Sequence, residues 1–540
     1  MNADSKADSI NVYERRWKLL SAAIDAVRNM TKGVPREKTL KLMLDRLQAF
    51  GRGQYQHFAD LLEAGVPAPL GFSQEFALRA TLDQVAFDLQ IIERTILERK
   101  CADGDMKDTL ALADEMALAA LQPAIDAGYF PQEKNTTAIT YFMKSASIRV
   151  LPYAPVALIG IPYTCAHLMA KGENGIATSM SVTRDFLAIP HEIGHYVFWH
   201  GEVDNDDATQ STLPKLSVAN QLRRCLKKKY RTVFPEWMCA WLEESFADIY
   251  GCLLAGPIIA VDFQDLELAR SLHEFMSDDA DHPLPAIRGE LYVRTLQDKM
   301  NQREWAKHLK TRWKTLRDKK LSHSASHSPI ELFAPAFPSV HPDELKDSPP
   351  SITKTVQTVQ LTEEIAFNII LTELEDFIER IQSSANMPSA KGASPAKAKR
   401  AAKNKGSTIS AEPAENQKNW WQALFNDPTF VPDSNKSAEA LVKKLYDRFD
   451  VCVHALKAQK ASTEMGTLGV ATCDQYLHDK YSEAQPNADL DNGFSALRSR
   501  FIAEYLATNT ETVNGGEWFA ILKAGGWTIE GPEAPQTGGP

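Results

Sequence analysis

Apolar residues recur every three to four positions over 11–30, 38–50 and 74–100. That is the period of a helix with one buried stripe, and its repetition near the start of the chain predicts a helical bundle. The pattern changes at Val156-Ala157-Leu158-Ile159-Gly160-Ile161-Pro162, a short unbroken apolar run that reads as a buried strand beside which an extended peptide could add. A helix resumes at Ala188-Ile189-Pro190, with proline at a tolerated first-turn position; Tyr196, Val197, Phe198 and Trp199 extend it and Gly201 stops it. A further helix over 237–254 is apolar on nearly every side, yet it carries a cluster of acids. Asp281-His282-Pro283-Leu284-Pro285 reads as a turn before a helix starting near Ala286, and more helices are expected near 301–320, 361–382 and 438–458. The expected fold class is mainly α with a small β-sheet (α+β).

The polar residues inside these apolar helices carry the chemistry. His191-Glu192-Ile193-Gly194-His195 puts two imidazoles four residues apart, hence on one helix face and able to reach one metal ion. Glu192 lies about a third of a turn away, within reach of a metal-activated water as a general base. A third ligand is offered in Glu243-Glu244-Ser245-Phe246-Ala247-Asp248. Carboxylates buried in an apolar helix are costly unless paired or bound to metal. With Glu244 as ligand, Asp248 falls one turn later on the same face, where it can accept the outer N–H of a ligand histidine and fix its tautomer. Three N/O ligands on helices favour one Zn2+ per chain over magnesium or calcium.

His-Glu-x-x-His together with Glu-x-x-Ala-Asp resembles the gluzincin clan of metallopeptidases, and the Ala-Asp form is similar to the soluble relatives of the prenyl-protein endopeptidases. The resemblance covers about residues 150–295 and implies a zincin-like core. It implies His191, His195 and Glu244 as zinc ligands, Glu192 as general base and Asp248 as support for His191. The segment from Asp281 to Arg288 resembles the His-Pro…Arg stretch of several such families, which implies His282 as a donor to the developing oxyanion and Arg288 as a brace. The same residues also read as a plain turn and helix start, and Tyr250 and Tyr292 are rival oxyanion donors. The implied activity is peptide-bond hydrolysis. An endopeptidase is favoured over an aminopeptidase, because Lys171-Gly172-Glu173-Asn174-Gly175 lacks the methionine of the amine-gripping segment and suits a surface turn.

Length divides the chain further. We expect a helical N-terminal region over 1–130, the metallopeptidase core with accessory helices over 131–384, a flexible basic linker over 385–418 and a small C-terminal domain over 419–540. The last of these ends in Trp518-Phe519-Ala520-Ile521-Leu522 and Gly525-Gly526-Trp527, apolar enough to pack, to cover the site or to recruit a protein partner. His323, His327 and His341 fall in a Ser- and Pro-rich stretch that suits an ordinary loop. A formal charge of −10 weighs against general nucleic-acid binding, despite Lys391, Lys397, Lys399, Arg400, Lys403 and Lys405 in the linker. Seven scattered cysteines without metal-binding spacing suit a reducing compartment. A polar start and the lack of an apolar run of about eighteen residues lead us to expect a cytoplasmic protein, with leaderless export as an alternative, and no membrane contact. The expected partner is a peptide or protein substrate. The other class of function that fits is a catalytically silent, zinc-containing interaction protein.

Overall fold

The chain is mainly helical with a small mixed sheet. The computed structural model describes residues 3–65, 75–101, 104–131, 135–149, 151–163 without 152, 165, 184–205, 215–229, 237–276, 282–322, 367 and 369–385, with scattered positions over 421–453. Four long helices come first: α1 (Ala3–Met30), α2 (Glu37–Glu63), α3 (Phe76–Cys101) and α4 (Gly104–Asp126). The second runs on past the stretch expected from periodicity. Gly51 would end an isolated helix, but here it lets α2 lie against Trp17, whose ring would be 2.7 Å from any added Cβ. Tertiary packing offsets the poor propensity of glycine.

Three strands follow, β1 (Thr137–Met143), β2 (Ser147–Arg149) and β3 (Val156–Pro162). They pair in the order β1-β3-β2, with β1 parallel and β2 antiparallel to β3. The sheet is a wall between two cores. Ile139, Tyr141, Val156 and Leu158 face α1, α2 and α3, whereas Ala138, Phe142, Ala157, Ile159 and Ile161 face the opposite body of helices. Both faces of the central strand being buried, β3 reads as a continuous apolar run with no polar alternation, whereas β2 is Ser-Ile-Arg, with Ser147 and Ile148 half-buried. Helix α4 lies with the second core, through Ala113, Met116, Ala120 and Ala124, so the helices of 1–130 fall on both sides of the sheet.

The strand recognised from sequence, β3, is the central one, and both of its edges are taken. The outer edge of β1 is closed by side chains: Thr140 N–H donates to Asp114 (2.7 Å), Phe142 N–H donates to Glu98 (2.8 Å), and Arg36 donates to the Ala138 carbonyl (2.8 Å). Blocking an edge in this way prevents unwanted strand addition. An added strand would therefore meet β2, not β3.

The second core is built on α5 (Ala188–His200) and α7 (Trp237–Ala255), with a hairpin of β4 (Glu202–Asp204) and β5 (Lys215–Ser217) and helix α6 (Val218–Lys229) between them in sequence. Gly194 sits at the crossing of α5 and α7, where an added Cβ would lie 2.7 Å from the Ala247 Cα. Around this pair lie α8 (Pro257–Ala269), α9 (Leu272–Met276), α10 (Pro285–Arg294), α11 (Arg303–Ser322) and α12 (Glu375–Ala385). Trp313 of α11 packs where Gly289 leaves room on α10, and Phe377 of α12 packs on Phe246 with ring centroids 4.5 Å apart.

Trp421, Leu441, Leu445, Tyr446, Phe449 and Val453 are buried in this same core. The described part of 419–540 is thus joined to the body that holds α5 and α7. The stretches 171–175 and 323–341, the linker cations and the 518–527 tail lie outside the described residues. Among the described residues no helix is long and apolar enough to cross a membrane.

Candidate metal centre

Helical spacing places His191 and His195 on the face of α5 that meets α7, and the close crossing at Gly194 carries them to Glu244. Their Nε2 atoms are 3.2 Å apart. Glu244 Oε2 is 3.5 Å from His191 Nε2, and its Oε1 is 3.4 Å from His195 Nε2. One atom from each of the three residues falls within 4.8 Å of the others. Two imidazole nitrogens and one carboxylate are the donor set that suits zinc with a coordination position left over.

Each histidine has its own carboxylate behind it. Asp248 Oδ1 is 3.0 Å from His191 Nδ1, and Glu243 Oε1 is 3.0 Å from His195 Nδ1. A carboxylate beside each Nδ1 favours the proton there and turns the Nε2 lone pairs toward each other; His195 Nδ1 is hydrogen-bonded to Glu243, whereas His191 Nδ1 lies close to Asp248 without hydrogen-bond alignment. Facing lone pairs repel unless a proton or a cation lies between them. Glu243 is held in turn by Trp199, whose indole N–H donates to it at 2.6 Å. From sequence Glu243 reads only as a neighbour of Glu244. The available signal is that Trp199 follows His195 by one helical turn, which puts the indole and the imidazole on the same side.

Asp248 is fully buried and tied on every side. Arg288 donates to it through Nε (2.7 Å) and Nη2 (2.8 Å), and Tyr292 donates its hydroxyl at 2.5 Å. Burial alone would raise its pKa, but the Arg288 charge and the His191 contact win and hold it down at about 2. Arg288 also donates to Glu244 Oε2 at 2.8 Å and has Glu267 3.6 Å from Nη1. The Glu244 carboxyl is held well below the usual range: burial opposes this, and the charge of His195, bonds from His191 and His282, and Arg288 outweigh it. Burial raises Glu192, whose carboxylate is approached by the backbone N–H of Ile148 on β2.

Charge balance points to a cation. Glu192, Glu244 and Asp248 are largely or fully removed from water with Arg288 as the guanidinium among them, while Glu267 beside it is paired with Arg270. Buried acids in that excess need protons or metal. His195 shows the same demand: although burial disfavours its charged form, Glu244 and Glu243 push its pKa up to about 9.

No protein-family model, curated protein or solved structure matches the chain. The chemistry of the site is read from its own geometry.

Of the residues singled out in the sequence, His191, Glu192, His195, Glu244, Asp248, His282 and Arg288 converge here. His282 Nε2 is 3.3 Å from Glu244 Oε1 and its side chain is 41 % exposed, so it stands at the open side of the group. Arg288 is buried beneath. The two tyrosines are turned elsewhere: Tyr292 is spent on Asp248, and the buried Tyr250 donates to the Ala120 carbonyl of α4 at 2.7 Å. Neither hydroxyl is placed to meet a substrate oxygen.

Removing the orienting acid has a measurable consequence. Glu243→Ala is expected to lower zinc affinity by about 10- to 100-fold with the fold retained, and Glu243→Gln, which keeps an acceptor for both N–H groups, by much less. Titration against a competing chelator checks this, and equal affinities for all three proteins would refute it.

Proposed function

We propose that this chain is a zinc-dependent peptidase of gluzincin type, acting on peptide bonds of a peptide or protein substrate. The observation that carries the reading is the meeting of His191, His195 and Glu244 with Glu192 on the same helix and an orienting carboxylate behind each histidine. His191, His195 and Glu244 would hold the zinc, which when bound would supply a Lewis acid able to lower the pKa of water from about 15.7 toward about 7 and to polarise a carbonyl. Glu192 takes the proton as water attacks and returns it to the leaving amine. Burial raises its pKa, which suits a group that must both accept and release a proton. His282, partly exposed beside Glu244, is the donor for the carbonyl oxygen, an interaction that contributes about 3 kcal/mol in comparable sites. Arg288 and Asp248 hold the ligands in place and do not touch substrate.

An endopeptidase fits best, since an extended chain can pair along β2, the edge strand among the described residues, which lies against α5. A second reading has an observation of its own. Glu192 is 9 % exposed and already has a backbone partner, as suits a catalytically silent, zinc-containing interaction protein.

Both readings require the metal. Glu244→Ala and His191→Ala are expected to drop bound zinc from one per chain to near none, measured by elemental analysis after desalting; full zinc in either variant would sink the ligand set.

A further inference from the structure

The buried positions beyond the linker do more than fill the core. Over 437–449 the chain lays Leu441, Leu445, Tyr446 and Phe449 into it. The Tyr446 hydroxyl reaches two carboxylates of α8, Asp265 Oδ2 at 2.9 Å and Asp262 Oδ1 at 3.2 Å. The face of the Tyr446 ring is covered by the Arg184 guanidinium, 3.4 Å from its centroid. Arg184 immediately precedes the Asp185–Leu187 turn, which runs straight into α5. Tyr446 therefore clasps α8 with its hydroxyl and the foot of the metal-bearing helix with its ring.

The two carboxylates are not equivalent. Asp265 is compensated by an ion pair with Arg312 of α11, which also donates to Gln264. Asp262 faces Tyr446, Arg184, Asp265 and Asp185. Of these, Arg184 is the cation, and its charge is spread over the Tyr446 ring. A phenol has a single proton to donate, and two ionised acids at one hydroxyl repel each other.

We propose that 437–449 is an acid-favoured strap: it seats on α8 and Arg184 when Asp262 carries a proton, loosens when Asp262 ionises, and so makes the hold on the foot of α5 depend on pH. The direction follows from linkage. Burial pushes Asp262 up to about 7, against an ordinary 3.8, with Asp265 and Asp185 adding to the rise; the Tyr446 hydroxyl and the Arg184 charge favour the ionised form and are outweighed by the loss of water. The seated state binds the proton more tightly, so seating is strongest in acid and weakens as pH rises from about 4 to about 7.

Hydrogen exchange on the full chain, corrected for intrinsic rates, tests this at about pH 5.5 and about pH 8.5 without reference to zinc or turnover. Protection of the amides over 440–447 should be on the order of ten-fold greater at the lower pH. The amides over 185–190 should follow. Asp262→Asn should be protected equally at both pH values, and Tyr446→Phe should be less protected than wild type at both. The strap is refuted by wild-type protection that ignores pH, by a pH difference that survives in Asp262→Asn, by full protection in Tyr446→Phe, or by a response confined to 440–447.

Discussion

Glu192→Gln is expected to lower kcat on any cleaved peptide by at least about 10²- to 10⁴-fold, the usual worth of a positioned general acid–base group, while zinc stays at one per chain. Glutamine keeps the shape and an acceptor oxygen for the Ile148 N–H, so the fold should not respond. It cannot take a proton from water at neutral pH. A loss confined to kcat would mark Glu192 as acting in the transition state, and retention of full turnover with bound zinc would remove it from the mechanism.

Arg288→Met is expected to be the most damaging change to stability. The guanidinium is buried and touches Asp248, Glu244 and Glu267, of which Asp248 and Glu267 have almost no exposure. Removing one partner from a buried ionic network costs about 3–5 kcal/mol, because Asp248 and Glu244 are left without a guanidinium while Glu267 keeps its pairing with Arg270. Urea unfolding of the two proteins measures this; a difference below about 1 kcal/mol would show that the network contributes little. The pH dependence has a definite sign. Asp248, held down at about 2 against an ordinary 3.8, contributes stability that is present above about pH 4 and lost as pH falls through about 2. Without Arg288 that loss should begin at higher pH, so acid unfolding of the variant should start earlier.

Helical arithmetic made much of the site legible. His191 and His195 differ by four, as do Glu244 and Asp248, and in each case the interval alone puts the two side chains on one face. The apolar setting of α7 marked its acids as needing a partner, and Asp248 does lie against His191. What spacing cannot supply is the partner across a helix crossing. Glu243 stands behind His195 because α5 and α7 approach closely at Gly194, a distance set by packing and not by periodicity. The tyrosines misled for the same reason: the hydroxyl of Tyr250 is drawn to a carbonyl on α4, far away in sequence.

The fold shows the same division. The mainly helical class and the strand Val156–Pro162 follow from apolar patterning, yet an apolar run states only that both faces are buried and says nothing of strand order. That β3 is central, and that β2 is left beside α5, depends on pairings between separate segments. Composition predicts a linker over 385–418, nearly all of it outside the described residues, but the buried Trp421 and Tyr446 that follow it join the core through long-range hydrogen bonds to Met116, Asp262 and Asp265.

The most direct measurement is metal content together with cleavage of an unbiased peptide library, made on wild type and Glu192→Gln side by side, with and without a chelator. Stoichiometric zinc in both proteins, with cleavage in wild type that the chelator and the substitution each abolish, is the expected result. A wild-type protein that holds no zinc, or one that cleaves equally well with the chelator present, would contradict a zinc peptidase.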